Sequence, residues 1–346
     1  MINNKTFSPE HIKNLHSISG ADPSLIEKSI HALSLLNNLS ETGLPFIFKG
    51  GTSLLLLLET PRRLSIDIDI IVDPKDQIEP FLELASTVYP FHKCKEIIRN
   101  SKTYIPKKHF KFTYTSALSK QDQTILLDVL FSNNPYPNLL KKDINNSLLL
   151  LDENTNTVNT PDISSILGDK LTAFAPHTTG ILIGEHKDME IIKQFFDIST
   201  LIDEIWDMAT VKKSYLTILE QEQTYRNIHL PWENVLWDTI NASICIASRG
   251  KMFTNEYQSY LKGIRDLSGH IYNIRFTPEK AVLDASKILY FSACLLKDKR
   301  FIKVDDPSEY LNLHFQTDLL KNLKFLKKAN PLAYSYAIKA DIVLSS

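Results

Sequence analysis

An alternation of isoleucine and aspartate, Ile66–Asp67–Ile68–Asp69–Ile70, most restricts how this chain of 346 residues can fold. In a pleated strand, residues two apart point to the same face, so the two aspartates share one face and the isoleucines share the other. Two carboxylates this close repel each other, and a divalent cation removes the conflict. The segment therefore predicts a strand with two metal-binding carboxylates, Asp67 and Asp69. The alternative for this motif alone is the solvated face of an edge strand.

A glycine pair stands ahead of this strand. Phe46–Phe48 is a short apolar run, and Gly50, Gly51, Thr52 and Ser53 lead from it into a leucine-rich segment. We expect a strand, a glycine turn, a short helix and then the second strand. Glycine lets the backbone approach a ligand closely, and the N–H groups that open a helix favour a phosphate. Mg²⁺ is usually held by one or two carboxylates plus substrate phosphates. The sequence thus predicts a nucleoside triphosphate site with Mg²⁺, or with Mn²⁺ in its place.

A third carboxylate lies in a later apolar segment. Phe110–Tyr114 and Thr124–Phe131 predict an antiparallel pair of strands, and Asp128 is the one charged residue of the second. An ionised carboxylate buried without a partner is very costly, so Asp128 must reach water at a strand end or be compensated by a cation. We assign Asp128 as the third candidate metal ligand. A salt-bridged aspartate of the core is the alternative.

A lysine interrupts the apolar face of a later helix. We expect this helix to start at Pro161, with Thr160 as its cap, after a turn-rich loop over Asn154–Asn159. Its apolar positions are Ile163, Ile166, Leu167, Leu171 and Phe174. Lys170 lies in the same stripe and must find a counter-charge. We interpret Lys170 as a residue that binds the triphosphate and stabilises the negative charge of the leaving pyrophosphate. The alternative is a lysine with a buried alkyl chain whose ammonium reaches solvent at the edge of the apolar face.

The segment Lys49–Leu54, KGGTSL, followed by Arg63–Asp69, RLSIDID, resembles the signature of the nucleotidyltransferase toxins of the AbiEii family, within the DNA polymerase β-like nucleotidyltransferase superfamily. The resemblance implies an α/β fold with a polymerase-β-like core, a mixed sheet and a third metal carboxylate on a later strand, where Asp128 stands. Arg63 and Ser65 either fix the approach to the strand or contact the nucleotide.

The resemblance extends more thinly downstream. AbiEii-like toxins have a lysine in a similar helix, and Gly168–Leu171 matches it at Lys170. The family then has a basic residue, an acid and a second acid. Lys193 and Asp197 match the first and last of these, whereas Gln194 departs from the pattern, so Asp197 is the better catalytic candidate. A surface ion pair between Lys193 and Asp197, four residues apart on a helix, is the alternative.

Composition excludes several classes of protein. With 43% hydrophobic and 23% charged residues, the chain is typical of soluble globular proteins, and a net charge of −1 argues against coating nucleic acid by bulk charge. Three widely spaced cysteines fit a reducing compartment. The polar N-terminus does not resemble a signal peptide, and the longest apolar run, Leu54–Leu58, is too short to span a bilayer. We expect a cytoplasmic protein with no membrane contact.

The sequence indicates that the chain folds into two domains. Residues 1–205 form a nucleotidyltransferase domain that opens with two helices, and residues 206–346, from Trp206 onward, form an all-helical C-terminal domain. Two segments are strongly basic. The first is either a solvated hairpin face or a surface for RNA phosphates, and it contains Lys93, Lys95, Arg99, Lys102, Lys107, Lys108 and Lys111. The second is either the exposed face of an amphipathic helix or a second acceptor surface, and it contains Lys321, Lys324, Lys327 and Lys328.

Together these features predict a metal-dependent transfer of a nucleoside monophosphate from an NTP to an acceptor hydroxyl, with release of pyrophosphate. The resemblance implies that the acceptor is an RNA, such as the 3′ end of a tRNA, or a protein. The resemblance adds a toxin of a type IV-like toxin–antitoxin or phage-defence pair and a cognate antitoxin protein as its partner. Three alternatives stay open: a nucleotidyltransferase that modifies a small molecule such as an antibiotic, a glycosyltransferase with paired aspartates, and a non-catalytic nucleotide-binding module.

Overall fold

The computed structural model of the chain describes residues 2–98, 105–152, 155–205 and 207–346. The chain divides into two compact units. The first comprises Met1–Asp162 with Gly269–Ile274, and the second comprises Ile163–Ser268 with Arg275–Ser346. Each unit is compact in itself. The boundary between functional domains at residue 205, expected from the sequence, stays a prediction.

A mixed sheet forms the centre of the first unit. Its strands are β1 Ile47–Lys49, β2 Ile68–Val72, β3 Phe91–Ile97, β4 Lys107–Thr115, β5 Asp122–Phe131, β6 Leu139–Asp143 and β7 Thr157–Pro161. They lie in the order β3-β4-β5-β2-β1-β7-β6. The pairs β2–β5 and β1–β7 are parallel, and the other pairs are antiparallel. The predicted mixed sheet is confirmed.

Helices account for the rest of the regular structure. In the first unit these are α1 Pro9–Ser19, α2 Pro23–Glu41, α3 Gly50–Leu57 and α4 Glu79–Thr87. In the second unit they are α5 Ile163–Ala173, α6 Asp188–Ile202, α7 Met208–Arg226, α8 Trp232–Ala247, α9 Thr254–Leu267, α10 Pro278–Leu296, α11 Leu326–Ala329 and α12 Pro331–Ser345. The fold class, a mixed sheet followed by a helical C-terminal region, is therefore confirmed. Over the described residues, every helix is too short or too polar to cross a membrane.

One face of the sheet is packed against the N-terminal helices. The side chain of Asp22 accepts hydrogen bonds from the backbone at the start of α2, where Pro23 takes the first turn. Helix α2 then buries Ile26 and Ile30 in the same core as the alternate residues of β2, Ile68 and Ile70. The side chains between those isoleucines must face the other way, and this places the aspartates on the opposite face of the sheet.

Local predictions after the sheet were partly wrong. Thr160 and Pro161 end strand β7 instead of opening a helix, and α5 begins at Ile163. The pairing of β7 with β6 outweighed the helix-capping signal of Thr160 and Pro161. Residues 157–159, which were predicted to lie in a loop, also belong to β7. Asn154 and Trp206 lie outside the described residues. The last basic segment is a 3₁₀ turn, Lys321–Leu323, and then α11, so the amphipathic helix expected over Lys321–Lys328 is wrong.

Candidate active site

A row of polar residues crosses the sheet on the face opposite the hydrophobic core. Asp69 and Asp128 are direct partners in the parallel pair β2–β5. Neighbouring strands are spaced about 4.8 Å apart, so these two carboxylates stand side by side on one face. The antiparallel registers add Lys49 opposite Asp69 and His109 opposite Asp128. The fold thus joins two carboxylates that are distant in the sequence.

Asp67 lies one residue before β2. Asp67 and Asp69 are half-buried, whereas Ile68 and Ile70 are buried. This difference in burial confirms the predicted alternation over residues 67–70. The backbone carbonyl of Asp67 accepts a hydrogen bond from the Thr52 hydroxyl. Its backbone is therefore tied to α3, and its role as a metal ligand stays a prediction.

Two glycines open α3 directly beside these carboxylates. Gly50 has φ +79°, and a Cβ there would lie 2.2 Å from Oδ2 of Asp69. A Cβ on Gly51 would lie 2.4 Å from Nη2 of Arg63. Gly50 requires glycine because of its φ and its contact with Asp69, whereas a side chain at Gly51 would displace the end of the Arg63 side chain. Over the described residues, α3 has no side-chain cap, so the backbone N–H groups at its start keep the character of an anion site.

The remaining predicted nucleotide contacts serve the protein itself in this structure. Thr52 and Ser53 are buried. The hydroxyls of Thr52 and Ser65 are hydrogen-bonded to each other (2.8 Å), and the Ser53 hydroxyl donates to the carbonyl of Gly50 (2.8 Å). These bonds hold α3 against the chain that leads into β2. Contacts of Thr52, Ser53 and Ser65 with a nucleotide stay predictions.

Arg63 is held by a segment that is remote in the sequence. Residues 269–274 return to the first unit, where the backbone N–H of Leu64 donates to the carbonyl of His270 (2.6 Å) and that of Tyr272 donates to Arg62 (3.0 Å). Arg63 itself is buried and donates to the carbonyl of Leu64 (3.2 Å). The sequence carries no local signal for this bridge. It supports the interpretation that Arg63 fixes the approach to β2, and a nucleotide contact stays a prediction.

His109 was missed by the sequence-based prediction. Its Nδ1 donates to Oδ1 of Asp128 at 2.7 Å, and both side chains are largely buried, with exposed fractions of 16% and 23%. Asp128 therefore both reaches solvent and has a partner, as its apolar neighbours required. The register of β4 against β5, with Phe110 opposite Leu127, would have indicated this contact.

Lys170 and Asp197 form a buried ion pair within the second unit. Nζ of Lys170 lies 2.9 Å from Oδ2 of Asp197, and the side chains are 8% and 2% exposed. Lys170 also donates to Oε1 of Gln194 at 2.9 Å. Lys193 pairs instead with Glu190 at 2.8 Å, so the predicted Lys193–Asp197 surface pair is wrong. Helix α6 turns Asp197 and Gln194 toward α5, and Gln194 has a role that the sequence left open.

The donor set suits a hard cation. Asp69 and Asp128 supply adjacent carboxylates, and the absence of a side chain at Gly50 lets the Asp69 carboxylate pack against the start of α3. Two carboxylates completed by substrate phosphates are a common Mg²⁺ arrangement. Among the described residues, no three histidine, cysteine or acidic side chains form a ready metal-binding group. The residues thus fit a metal that is shared with a substrate, and the full ligand set stays a prediction.

A mixed sheet that presents paired carboxylates beside a glycine-led helix is the arrangement expected of a nucleotidyltransferase. Residues 33–268 match the family model of the nucleotidyl transferase AbiEii toxin of type IV toxin–antitoxin systems. The chain belongs to this family. Searched against curated proteins, it has no match.

Two solved structures are similar to the chain. One is JHP933 from Helicobacter pylori, with 14% sequence identity and a TM-score of 0.46, covering 79% of this chain and 93% of that one. The other is an H. pylori protein provisionally assigned as a nucleotidyltransferase, with 16% identity and a TM-score of 0.45, covering 79% and 94%.

Proposed function

We propose that this chain transfers a nucleoside monophosphate from an NTP to a hydroxyl of an RNA, with the 3′ end of a tRNA as the first candidate and a protein hydroxyl as the second. The observation that carries the proposal is the register that makes Asp69 and Asp128 neighbours beside Gly50. Family membership supports the reaction class.

Each group has a distinct role in this mechanism. Asp67, Asp69 and Asp128 would hold Mg²⁺ or Mn²⁺, which when bound neutralises phosphate charge and favours deprotonation of the acceptor hydroxyl. The N–H groups at the start of α3 bind the β- and γ-phosphates. His109 holds the carboxylate of Asp128 in one orientation through its 2.7 Å hydrogen bond.

Lys170 and Asp197 act as a pair in the proposal. The Lys170 ammonium is the group that would stabilise charge on the leaving pyrophosphate, and its contacts with Asp197 and Gln194 hold it in one orientation. Because its alkyl stem is buried and its ammonium is paired with Asp197, the side chain of Lys170 is held in one position within the second unit. This is the property that electrostatic catalysis requires.

Label transfer tests the proposal. Purified protein with Mg²⁺ is offered each of the four NTPs, labelled at the α-phosphate, together with total RNA and cell lysate. We expect label on RNA with one or more NTPs, and its loss in the Asp67→Asn/Asp69→Asn variant. The Glu10→Gln/Glu83→Gln variant, which removes two exposed carboxylates elsewhere, is the matched control and should keep activity. Label on a low-mass acceptor alone would favour a small-molecule substrate, and silence of the unmodified protein would refute the proposal.

We also propose that the activity is toxic in the cell and that a cognate antitoxin protein limits it, in a toxin–antitoxin or phage-defence pair. The family assignment supports this role. Induced expression should arrest growth, and the Asp67→Asn/Asp69→Asn variant, expressed to the same level, should not. Equal arrest by both proteins would contradict a role that depends on nucleotidyl transfer.

A further inference from the structure

Exposed lysines share the sheet face with Asp69 and Asp128. Residues two apart on β4 point the same way, so Lys107 and Lys111 lie on the same face as His109. Strand β3 continues this face, because Lys95 pairs with Lys111, and Lys93 pairs with Thr113. The lysine patch is defined by Lys93, Lys95, Lys107 and Lys111, and all four are exposed.

Strand geometry sets the distances within this face. One strand spacing and two residues along a strand separate Lys111 from Asp128, so their Cα atoms are about 8 Å apart. Lys95 lies one strand further away. From Lys107 to Lys111 the patch runs about 13 Å along β4, which is longer than a triphosphate group. The patch therefore begins beside the carboxylates and extends to the edge of the sheet.

The lysines of this patch have no direct ion-pair partner among the described residues. Lys95 and Lys111 are directly opposite each other, and like charges in that position destabilise a strand pair. Among the residues that the structure describes, none of the four lysines forms an ion pair, whereas Lys108, on the other face, pairs with Glu79 at 2.5 Å. Arg99 and Lys102 lie outside the described residues. A bound polyanion would relieve the repulsion.

We propose that the lysine patch binds the phosphate backbone of the RNA acceptor and leads its end toward Asp128. This inference rests on the proposed function, since the RNA is taken as the acceptor. A patch of lysines spread over two neighbouring strands fits an extended polyanion, and ammonium groups bind phosphates as point charges without reading the base sequence. The net charge of −1 makes such a local patch the means by which this chain can attract RNA.

The test measures RNA binding apart from catalysis. A short mixed-sequence single-stranded RNA, labelled with fluorescein at its 5′ end, is titrated by anisotropy in EDTA without NTP, at KCl concentrations from roughly 50 to 200 mM. The plot of log affinity against log salt concentration has a negative slope, and replacing all four lysines of the patch by glutamine should make this slope less negative by about 3. The same replacement should weaken RNA binding about tenfold or more. The matched control removes the same charge from four scattered exposed lysines, Lys5, Lys13, Lys75 and Lys120.

Further measurements separate the possible results. A Lys→Arg version of the patch keeps the charge and should bind as the unmodified protein does, which guards against a folding defect in the glutamine variant. In label transfer, the glutamine variant should raise KM for RNA and leave KM for NTP unchanged. Equal loss in the patch and control variants, or a raised KM for NTP alone, would overturn the inference.

Failure of the inference and failure of the proposed function are distinguishable. If the glutamine variant transfers label to RNA with unchanged KM, the lysine patch is overturned while the proposed function stands. If RNA binding depends on the patch but no NTP donates label to any acceptor, the patch stands and the proposed activity is lost.

Discussion

Replacement of Gly50 by alanine tests whether the backbone at the start of α3 keeps Asp69 in place. The new Cβ would lie 2.2 Å from Oδ2, 3.0 Å from Cγ and 3.1 Å from Cβ of Asp69. Oδ2 must therefore move by about 0.8 Å to reach the 3.0 Å below which real Cβ contacts are essentially never found. Rotation of the carboxylate alone does not relieve the contact with Cβ, so the strand or the glycine must shift as well.

Two costs are expected and can be separated. Alanine at φ +79° costs about 1–2 kcal/mol of folding free energy because of its left-handed backbone. Gly20, the C-cap of α1, has φ +69°, and a Cβ added there would meet nothing within 4 Å, so Gly20→Ala carries the backbone cost without the contact. A misplacement of about 1 Å at a reacting group can lower the rate about a hundredfold, and this cost should fall on Gly50→Ala alone.

The assay is label transfer from NTP, with thermal unfolding and Mn²⁺ affinity measured on the same preparations. We expect both variants to lose stability, and only Gly50→Ala to lose Mn²⁺ affinity and about a hundredfold in kcat/KM. If Gly50→Ala and Gly20→Ala retain equal activity and Mn²⁺ affinity, Asp69 does not depend on this glycine, and the proposed geometry of the site is refuted.

Three further predictions follow from buried or paired groups. Lys170→Met removes the ammonium that is paired with the buried carboxylate of Asp197 and should destabilise the protein by about 3–5 kcal/mol in chemical unfolding, whereas Lys170→Met/Asp197→Leu should recover most of that loss without restoring activity. Burial lowers the pKa of His31 from 6.5 to about 4, so the unfolded chain binds this proton at a higher pH than the folded chain does. Stability should therefore fall by about 3 kcal/mol as the pH drops from 6.5 to 4, and a His31→Phe variant with the same pH profile would contradict this. His109→Leu removes the donor to Asp128 and should weaken Mn²⁺ binding and transfer about 10–100-fold, with partial rescue in His109→Asn; equal effects of the two substitutions would indicate a packing role only.

Much of the local structure could be predicted from periodicity and caps. The alternation around Asp69 placed a strand with carboxylates on one face, and Asp22–Pro23 placed the start of α2. Such signals lie within a few residues of the chain, because side chains alternate between the two faces of a strand and an N-cap residue bonds to the first turn of its own helix. The prediction around Thr160 and Pro161 was wrong since the same two residues also suit the end of a strand, and pairing with β6 decided between them.

Only the tertiary structure decided which groups meet. Asp69 and Asp128 become neighbours through the parallel pairing of β2 with β5, which are far apart in the chain, and the antiparallel pairing of β4 with β5 brings His109 to Asp128. Asp197 likewise turns to Lys170 on another helix instead of to Lys193 on its own. The sequence by itself determined which residue types face away from the core. Their partners depend on strand register and helix packing, which are set by the burial of the whole core and are not encoded in any short segment.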